Sequence, residues 1–289
     1  MLVILTAMEV ERAAVRARMT GVRRHVHHAG TVFDVGELAG RPAALGMVGK
    51  GNAGAAAIAE RAVAEFSPSA VLFTGVAGGL RDWLRLGDVV VARKVYAYHG
   101  GYSDDQGFRS RPEAWEPSYR LLEQARALAR DGNWAGSENA PEVHFEPVAA
   151  GEVVVDGRTS AVARYLWDNY NDAVAVEMES AGFALTGRLN DDVPALTVRG
   201  ISDRADGAKD VADESDWQAV AAGNAADFVR ALAAELAAPD GSPARAEERT
   251  EAPAPTFTNV AKDNARVGQQ VGAIYGDFTV TQRSSGGHA

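Results

Sequence analysis

The sequence predicts an α/β protein in which a central sheet is covered by helices. Short apolar runs alternate with helical stretches over the first 237 residues, the pattern of strands followed by covering helices. Hydrophobic residues make up 46% of the 289, enough for a sizeable buried core. That length fits one α/β domain with an appendage better than two full domains.

Residues 1–7 read as a first buried strand and 9–19 as the helix after it. A strand over 42–48 precedes an Ala-rich helix over 53–66. The continuous apolar run 70–76 is expected to be a central strand, followed by a Gly-rich turn and a strand at 88–91. Further strands are expected at 153–155, 173–176 and 195–200. Residues 216–237 place Trp217, Val220, Phe228, Leu232 and Leu236 near one face of a terminal helix. The catalytic domain is read as 1–237. Residues 238–258 are Pro, Ala, Glu, Arg and Ser without periodicity, a solvated linker, and 259–280 form a separate island before a short tail at 281–289.

Composition narrows the function. A net charge of -10 argues against broad binding to nucleic acid, which relies on clustered Lys and Arg. With no cysteine there is no disulfide framework, thiolate metal ligand or cysteine nucleophile. Met1 runs directly into Leu2-Val3-Ile4-Leu5 without a basic leader, and no apolar run approaches the roughly 18 residues of a membrane span. A cytoplasmic protein without membrane contact is expected.

Gly49-Lys50-Gly51-Asn52-Ala53-Gly54 satisfies GxGxxG between a strand and a helix. A dinucleotide site would add an acidic residue at the end of the next strand, which here reads Thr74-Gly75-Val76-Ala77-Gly78-Gly79. A phosphate-binding P-loop is excluded because Gly51, not Ser or Thr, follows Lys50. A tight turn that lets a small ligand approach the backbone fits better, and no cofactor is expected. The cluster His25, His27 and His28 lacks convergent partners, so it reads as an exposed strand or loop and no metal is predicted.

Acidic residues stand near three strand ends: Glu11, the pair Glu177 and Glu179, and Asp203. Ligands of open α/β sheets gather at the carboxyl ends of strands, so these acids are candidates for one cleft. Taken singly, each would equally serve as a helix cap or face water.

Taken together they match a family. Ala7-Met8-Glu9-Val10-Glu11, Thr74-Gly75-Val76-Ala77-Gly78-Gly79-Leu80, Leu86-Gly87-Asp88-Val89-Val90-Val91, Val176-Glu177-Met178-Glu179 and Val198-Arg199-Gly200-Ile201-Ser202-Asp203 occur in one order. Over about residues 1–237 the chain resembles the purine nucleoside phosphorylase and nucleosidase superfamily, most of all the 5′-methylthioadenosine/S-adenosylhomocysteine nucleosidases. The resemblance implies a three-layer fold with a mixed, partly barrel-like sheet, a homodimer, and hydrolysis of an adenine nucleoside. It implies that Asp203 protonates N7 of the leaving purine with Ser202 orienting it. Glu179 would bind the ribose hydroxyls over Met178, and Glu11 would position or deprotonate the attacking water. Val154 and Val155 would meet the adenine, Ala7, Val76, Ala77 and Gly78 would line the site, and Val48 would lie near the 5′ substituent. Glu177 and Arg199 would belong to the binding set.

The chemistry needs such a set. Cleaving a glycosidic bond builds cationic character on the sugar and negative charge on the base. Acid catalysis at the base contributes about 10²–10⁴-fold, and a carboxylate against the sugar stabilises the developing cation. Phosphorolysis would need cations after the first strand, where Glu9 and Glu11 stand instead, so water is the expected nucleophile. Two residues depart from the family. Val76 stands where a serine is common, and Val154 where an aromatic ring often stacks on the purine. A phosphorylase or a nucleoside sensor without turnover are the alternatives. Within 99–112, Arg109 and Arg111 match what a phosphorylated 5′ end would need, although solvent-facing arginines are the commoner arrangement.

In 259–280, Gly268, Gly272 and Gly276 recur among Val267, Val271, Ile274, Phe278 and Val280. The segment is similar to bacterial amyloid-signalling motifs related to RHIM-like sequences, which bring an effector to a receptor bearing a matching motif. A disordered tail, or one that packs on its own domain, is the equal alternative.

Overall fold

The structure, a computed structural model, describes residues 1–132, 134–135, 141–190, 193–207 and 216–237. The linker, the island at 259–280 and the tail lie outside the described residues.

Strand β1 (Leu2–Thr6) shows why the fold is three-layered. Leu2 and Ile4 pack into one cluster with Leu72, Phe228 and Leu232, while Val3 and Leu5 pack into another with Phe73, Ala55 and Phe183. Both faces are buried, which is why the strand reads as an unbroken apolar run. One covering layer holds α1 (Glu9–Arg16), α3 (Tyr119–Asp131) and α6 (Trp217–Ala237); the other holds α2 (Asn52–Phe66) and α5 (Ser180–Leu189). The fully buried Phe228 and Leu232 each contribute about 1.5–3 kcal/mol to holding α6 on the sheet.

The sheet is mixed and partly closed. Its order is β11 (Ala175–Glu177), β10 (Val143–Ala150), β6 (Val89–Ala97), β12 (Ala195–Asp203), β5 (Ala70–Gly79), then β1, β4 (Arg41–Met47), β3 (Val32–Leu38) and β2 (Met19–Val26). Strand β11 also pairs with β5, Ala175 opposite Gly79 and Val176 opposite Gly78, so five strands form a barrel-like ring. Strand β9 (Glu113–Trp115) extends β6, and β7 (Gly101–Asp104) with β8 (Gly107–Ser110) makes a separate hairpin. Among the described residues, the remaining helix is α4 (Ala161–Asn169).

Several expectations change. The first helix stops at Arg16, and Met19 already begins β2. The Gly-rich segment expected as a turn is the second half of β5, paired with β12 and β11 on its two sides. Glycine there lets the strand bend where the barrel closes. Residues 153–155 form no strand; they belong to a loop after β10. His27 is buried, and His25 meets Glu65 at 2.6 Å, so the histidine cluster is partly packed against α2 rather than exposed. No described helix is long and apolar enough to cross a membrane.

Candidate active site

The carboxyl ends of β1, β5, β11 and β12 open on one cleft. Ala7, Glu11, Val76, Ala77, Gly78, Val154, Val155, Glu177, Met178, Glu179, Ser202 and Asp203 all line it. Larger hollows occur elsewhere, one between α5 and β12, but their walls bring together none of these acids.

Glu11 lies in the first turn of α1, buried, and its orientation is fixed by backbone donors. Oε2 accepts from the amides of Ala7 at 2.7 Å and Met8 at 2.9 Å, and Oε1 from that of Val76 at 2.8 Å. Burial pushes its carboxyl up, opposed by the Arg199 guanidinium and these amides. The Val76 contact is made through the backbone, so replacing a serine there by valine leaves this anchor intact.

Arg199 lies fully buried behind the cleft rather than in its wall. Its Nη2 donates to Glu177 and to Ser180 Oγ at 3.0 Å, and its guanidinium carbon sits 4.2 Å from the Phe73 ring centre. Its Nε and Nη1 find no hydrogen-bond acceptor among the described residues, and Nη1 and Glu11 Oε1 both crowd the space beside Gly75. A side chain at position 75 would occupy that space. Glu177 accepts from the amides of Glu179 at 3.2 Å and Ser180 at 3.0 Å, tying Arg199 to the start of α5.

Glu179 stands at the N-terminal boundary of α5 without capping it, and its Oε1 instead accepts from the Gly51 amide at 3.1 Å. Burial pushes its carboxyl up to about 7, with the Glu177 charge adding and Arg199 opposing. Its Oε2 is 3.9 Å from Arg199, too far for a hydrogen bond.

Asp203 ends β12. Its Oδ2 accepts from Ser202 Oγ at 2.9 Å and its Oδ1 from the Ala205 amide at 3.0 Å. Ala205 holds a positive φ of 47°, which turns the chain back beneath the carboxylate. Asp203 also crowds Gly78: a Cβ there would lie 2.8 Å from Oδ1.

Not every expected residue reaches the cleft. Val48, the residue after β4, is packed in the core with Phe33 and Ala55, its amide donating to the Thr6 carbonyl at 2.8 Å, and does not line the cleft. Val154 lies at the rim, 53% exposed. Arg109 pairs with Asp104, and both Arg109 and Arg111 lie over Tyr102; neither lines the cleft. Met8, Lys50, Val153, Val176 and Gln218 line it although the sequence reading assigned them no role. Lys50 was visible as the centre of the Gly49-Lys50-Gly51 turn, but nothing local tells where that turn points.

The fold agrees with the comparisons. The model of the Phosphorylase superfamily matches residues 1–234, and the chain belongs to that family. It is 30% identical over 210 residues to a 5′-methylthioadenosine/S-adenosylhomocysteine nucleosidase of Maridesulfovibrio salexigens, covering 71% of this chain and 86% of that one. It is also 30% identical over 259 residues to the ATP nucleosidase Cap17 of Escherichia coli, covering 78% of this chain but spanning only 50% of the relative's length. Among solved structures, the Neisseria meningitidis 5′-methylthioadenosine/S-adenosylhomocysteine nucleosidase in complex with methylthio-immucillin-A aligns with a TM-score of 0.70 at 27% identity, over 81% of this chain and 99% of that one. Futalosine hydrolase of Helicobacter pylori shares the fold, with a TM-score of 0.70 at 24% identity over 81% and 97%.

Proposed function

We propose that the protein hydrolyses the N-glycosidic bond of an adenine nucleoside or nucleotide, releasing adenine. The observation that carries this reading is the meeting of Glu11, Glu179 and Asp203 in one cleft, each held by hydrogen bonds in a different orientation. Asp203, steadied by Ser202 and the Ala205 amide, donates a proton to N7 of the departing purine. Glu179, beside Met178, takes the ribose hydroxyls and offsets the cationic sugar. Glu11 holds the water and accepts one of its protons, and the Arg199 guanidinium buried behind the cleft favours the ionised carboxylate that this needs. Water attacks C1′ as the bond to N9 breaks; its other proton stays on oxygen to complete the new hydroxyl, and the electron pair of the broken bond goes to the base, which Asp203 protonates.

Arg12, the cation after the first strand, pairs with Glu9 and Asp34 and is unavailable to phosphate, which supports hydrolysis over phosphorolysis. The relatives' names include methylthioadenosine, S-adenosylhomocysteine and ATP, which have in common an adenine–ribose bond and differ at the 5′ end. The test is to incubate the purified protein with adenosine, methylthioadenosine and ATP, with and without phosphate, and to analyse the products. Free adenine and an unphosphorylated C1′ are expected regardless of phosphate. Dependence on phosphate, with ribose 1-phosphate formed, would establish phosphorolysis; binding without base release would establish a sensor.

A second reading places this chemistry in a signalling or defence effector that depletes adenine nucleotides when assembled. Its support is the Gly- and Val-containing segment 259–280 and the relative named an ATP nucleosidase. In that reading the segment joins a receptor bearing a matching motif and raises the local concentration of homodimer-forming catalytic domains. Fibres from the isolated segment, seen by dye binding and microscopy, are the expected result; a soluble monomeric peptide would count against it.

A further inference from the structure

Helices α2 and α5 exchange hydrogen bonds where they begin. The amides of a first helical turn have no acceptor within the helix and must find one outside it. Neither boundary residue, Gly51 before α2 nor Glu179 before α5, gives its own helix a side-chain hydrogen bond. Glu179 Oε1 instead accepts from the Gly51 amide. In return Asn52, the first residue of α2, accepts through Oδ1 from the Gly182 amide of α5 at 3.0 Å. Gly182 lies so close to the Asn52 carbonyl that no side chain fits at that position.

This exchange bears on the acid. A carboxylate at a helix boundary is drawn to the free amides of its own helix. With the Gly182 amide satisfied by Asn52 and the Ser180 amide by Glu177, Glu179 is left to face the cleft. The other end of the Asn52 side chain reaches the rim. Its Nδ2 donates to the Gly151 carbonyl and to Glu152 Oε1, both at 2.8 Å, and Glu152 Oε1 also accepts from the Asn52 backbone amide at 3.1 Å. Gly151 and Glu152 begin the loop whose Val153, Val154 and Val155 line the cleft, whereas Asn52 itself does not line it. One side chain outside the cleft therefore joins the turn that anchors Glu179, the first turn of α5 and the root of the rim loop.

We infer that Asn52 is a positioning residue: its side-chain amide sets Glu179 against the base-side rim and so determines how firmly the ribose hydroxyls are gripped. The inference rests on the nucleosidase reading for the contact between Glu179 and the ribose. Adenosine and 2′-deoxyadenosine differ by one of those hydroxyls, so the ratio of their affinities measures the grip. Binding of both is titrated to full-length Asp203→Asn protein, alone and with Asn52→Ala, Glu152→Ala or Glu152→Gln added. Turnover of both is followed with Asp203 intact, and urea unfolding is measured on each sample. Asn52→Ala is expected to lower the preference for adenosine about tenfold, in Kd and in kcat/KM, the scale of a lost hydrogen bond. Glu152 is exposed, so its variants keep the fold whether or not Asn52→Ala does. Glu152→Ala is expected to lower the preference by a smaller factor, and Glu152→Gln, which still accepts from Asn52, to retain it. A purely structural link would cost stability and weaken both nucleosides equally. A preference altered less than threefold by Asn52→Ala, or the same in both Glu152 variants, would overturn the inference, as would a parent protein that binds the two nucleosides alike. The two proposals fail separately. Discrimination that depends on Asn52 without release of adenine would remove the hydrolase reading and keep the positioning role. Release of adenine with a preference indifferent to Asn52 would do the reverse.

Discussion

Gly78 and Asp203 face each other across the β5–β12 pairing so closely that a methyl group on Gly78 would stand 2.8 Å from Asp203 Oδ1. The backbone of Gly78 is not in the left-handed region, so alanine is conformationally permitted there. Gly78→Ala is expected to keep the fold, displace the carboxylate and lower kcat on the order of 100-fold, the scale expected when a reacting group is misplaced by about 1 Å. Steady-state kinetics with circular dichroism on the same sample checks this; wild-type kcat would show that the Asp203 position does not matter.

The acidic limb of the pH profile is expected to belong to Glu179. Its carboxyl is pushed up to about 7 mainly by burial, and only the ionised form offsets a cationic sugar. Activity as kcat/KM should therefore rise with pH through about 7, and Glu179→Gln should lower activity and remove that limb. The sign for stability is opposite. The folded state holds this proton more tightly than the unfolded chain, so its contribution is complete below the ordinary carboxylate range and is lost as pH rises towards about 7. Both trends are read from one pH series of kinetics and urea unfolding.

Arg199 is the buried counter-charge of this acidic cleft. Removing it leaves Glu177 without its guanidinium and Glu11 without an opposing charge. Arg199→Ala is expected to cost about 3–5 kcal/mol in urea unfolding, the range for breaking a buried ion pair from one side. Adding Glu177→Gln to that variant should recover part of the loss, a coupling that a simple packing defect would not show.

Val154 sits at the rim where an aromatic ring would cover the base. Val154→Phe should tighten adenine binding by roughly 2- to 10-fold, the worth of one aromatic stack of about 0.5–1.5 kcal/mol. Unchanged affinity in a calorimetric titration would mean that the base does not lie against this loop.

Legibility in the sequence followed burial. Strand β1 and the start of β5 are apolar on both faces, and the terminal helix carries Phe228 and Leu232 at helical spacing, so each was readable locally. Strands β2 and β3 were not, because residues such as Arg23, Arg24 and Glu37 stay exposed and blur the alternation. Residues 153–155 have the β-branched composition of a strand, yet they find no partner strand and instead form the rim of the cleft. The glycines of Thr74–Gly79 suggested a turn; only the closure of β11 onto β5 makes them strand. Glu11, Glu179 and Asp203 were picked out by the order of five motifs, since an acid at a strand end is otherwise indistinguishable from a cap. Lys50, though visible in its glycine turn, and Gln218 received no role because their access to the cleft depends on how α2 and α6 approach the sheet.

The most direct test is the rate of adenine release in phosphate-free buffer by wild-type protein and by Asp203→Asn. Substantial release by the wild type, with at least a 100-fold loss in the variant and retained adenosine binding, is the predicted result. Equal release by the two proteins would contradict the assignment of Asp203 as the acid that lets the base depart.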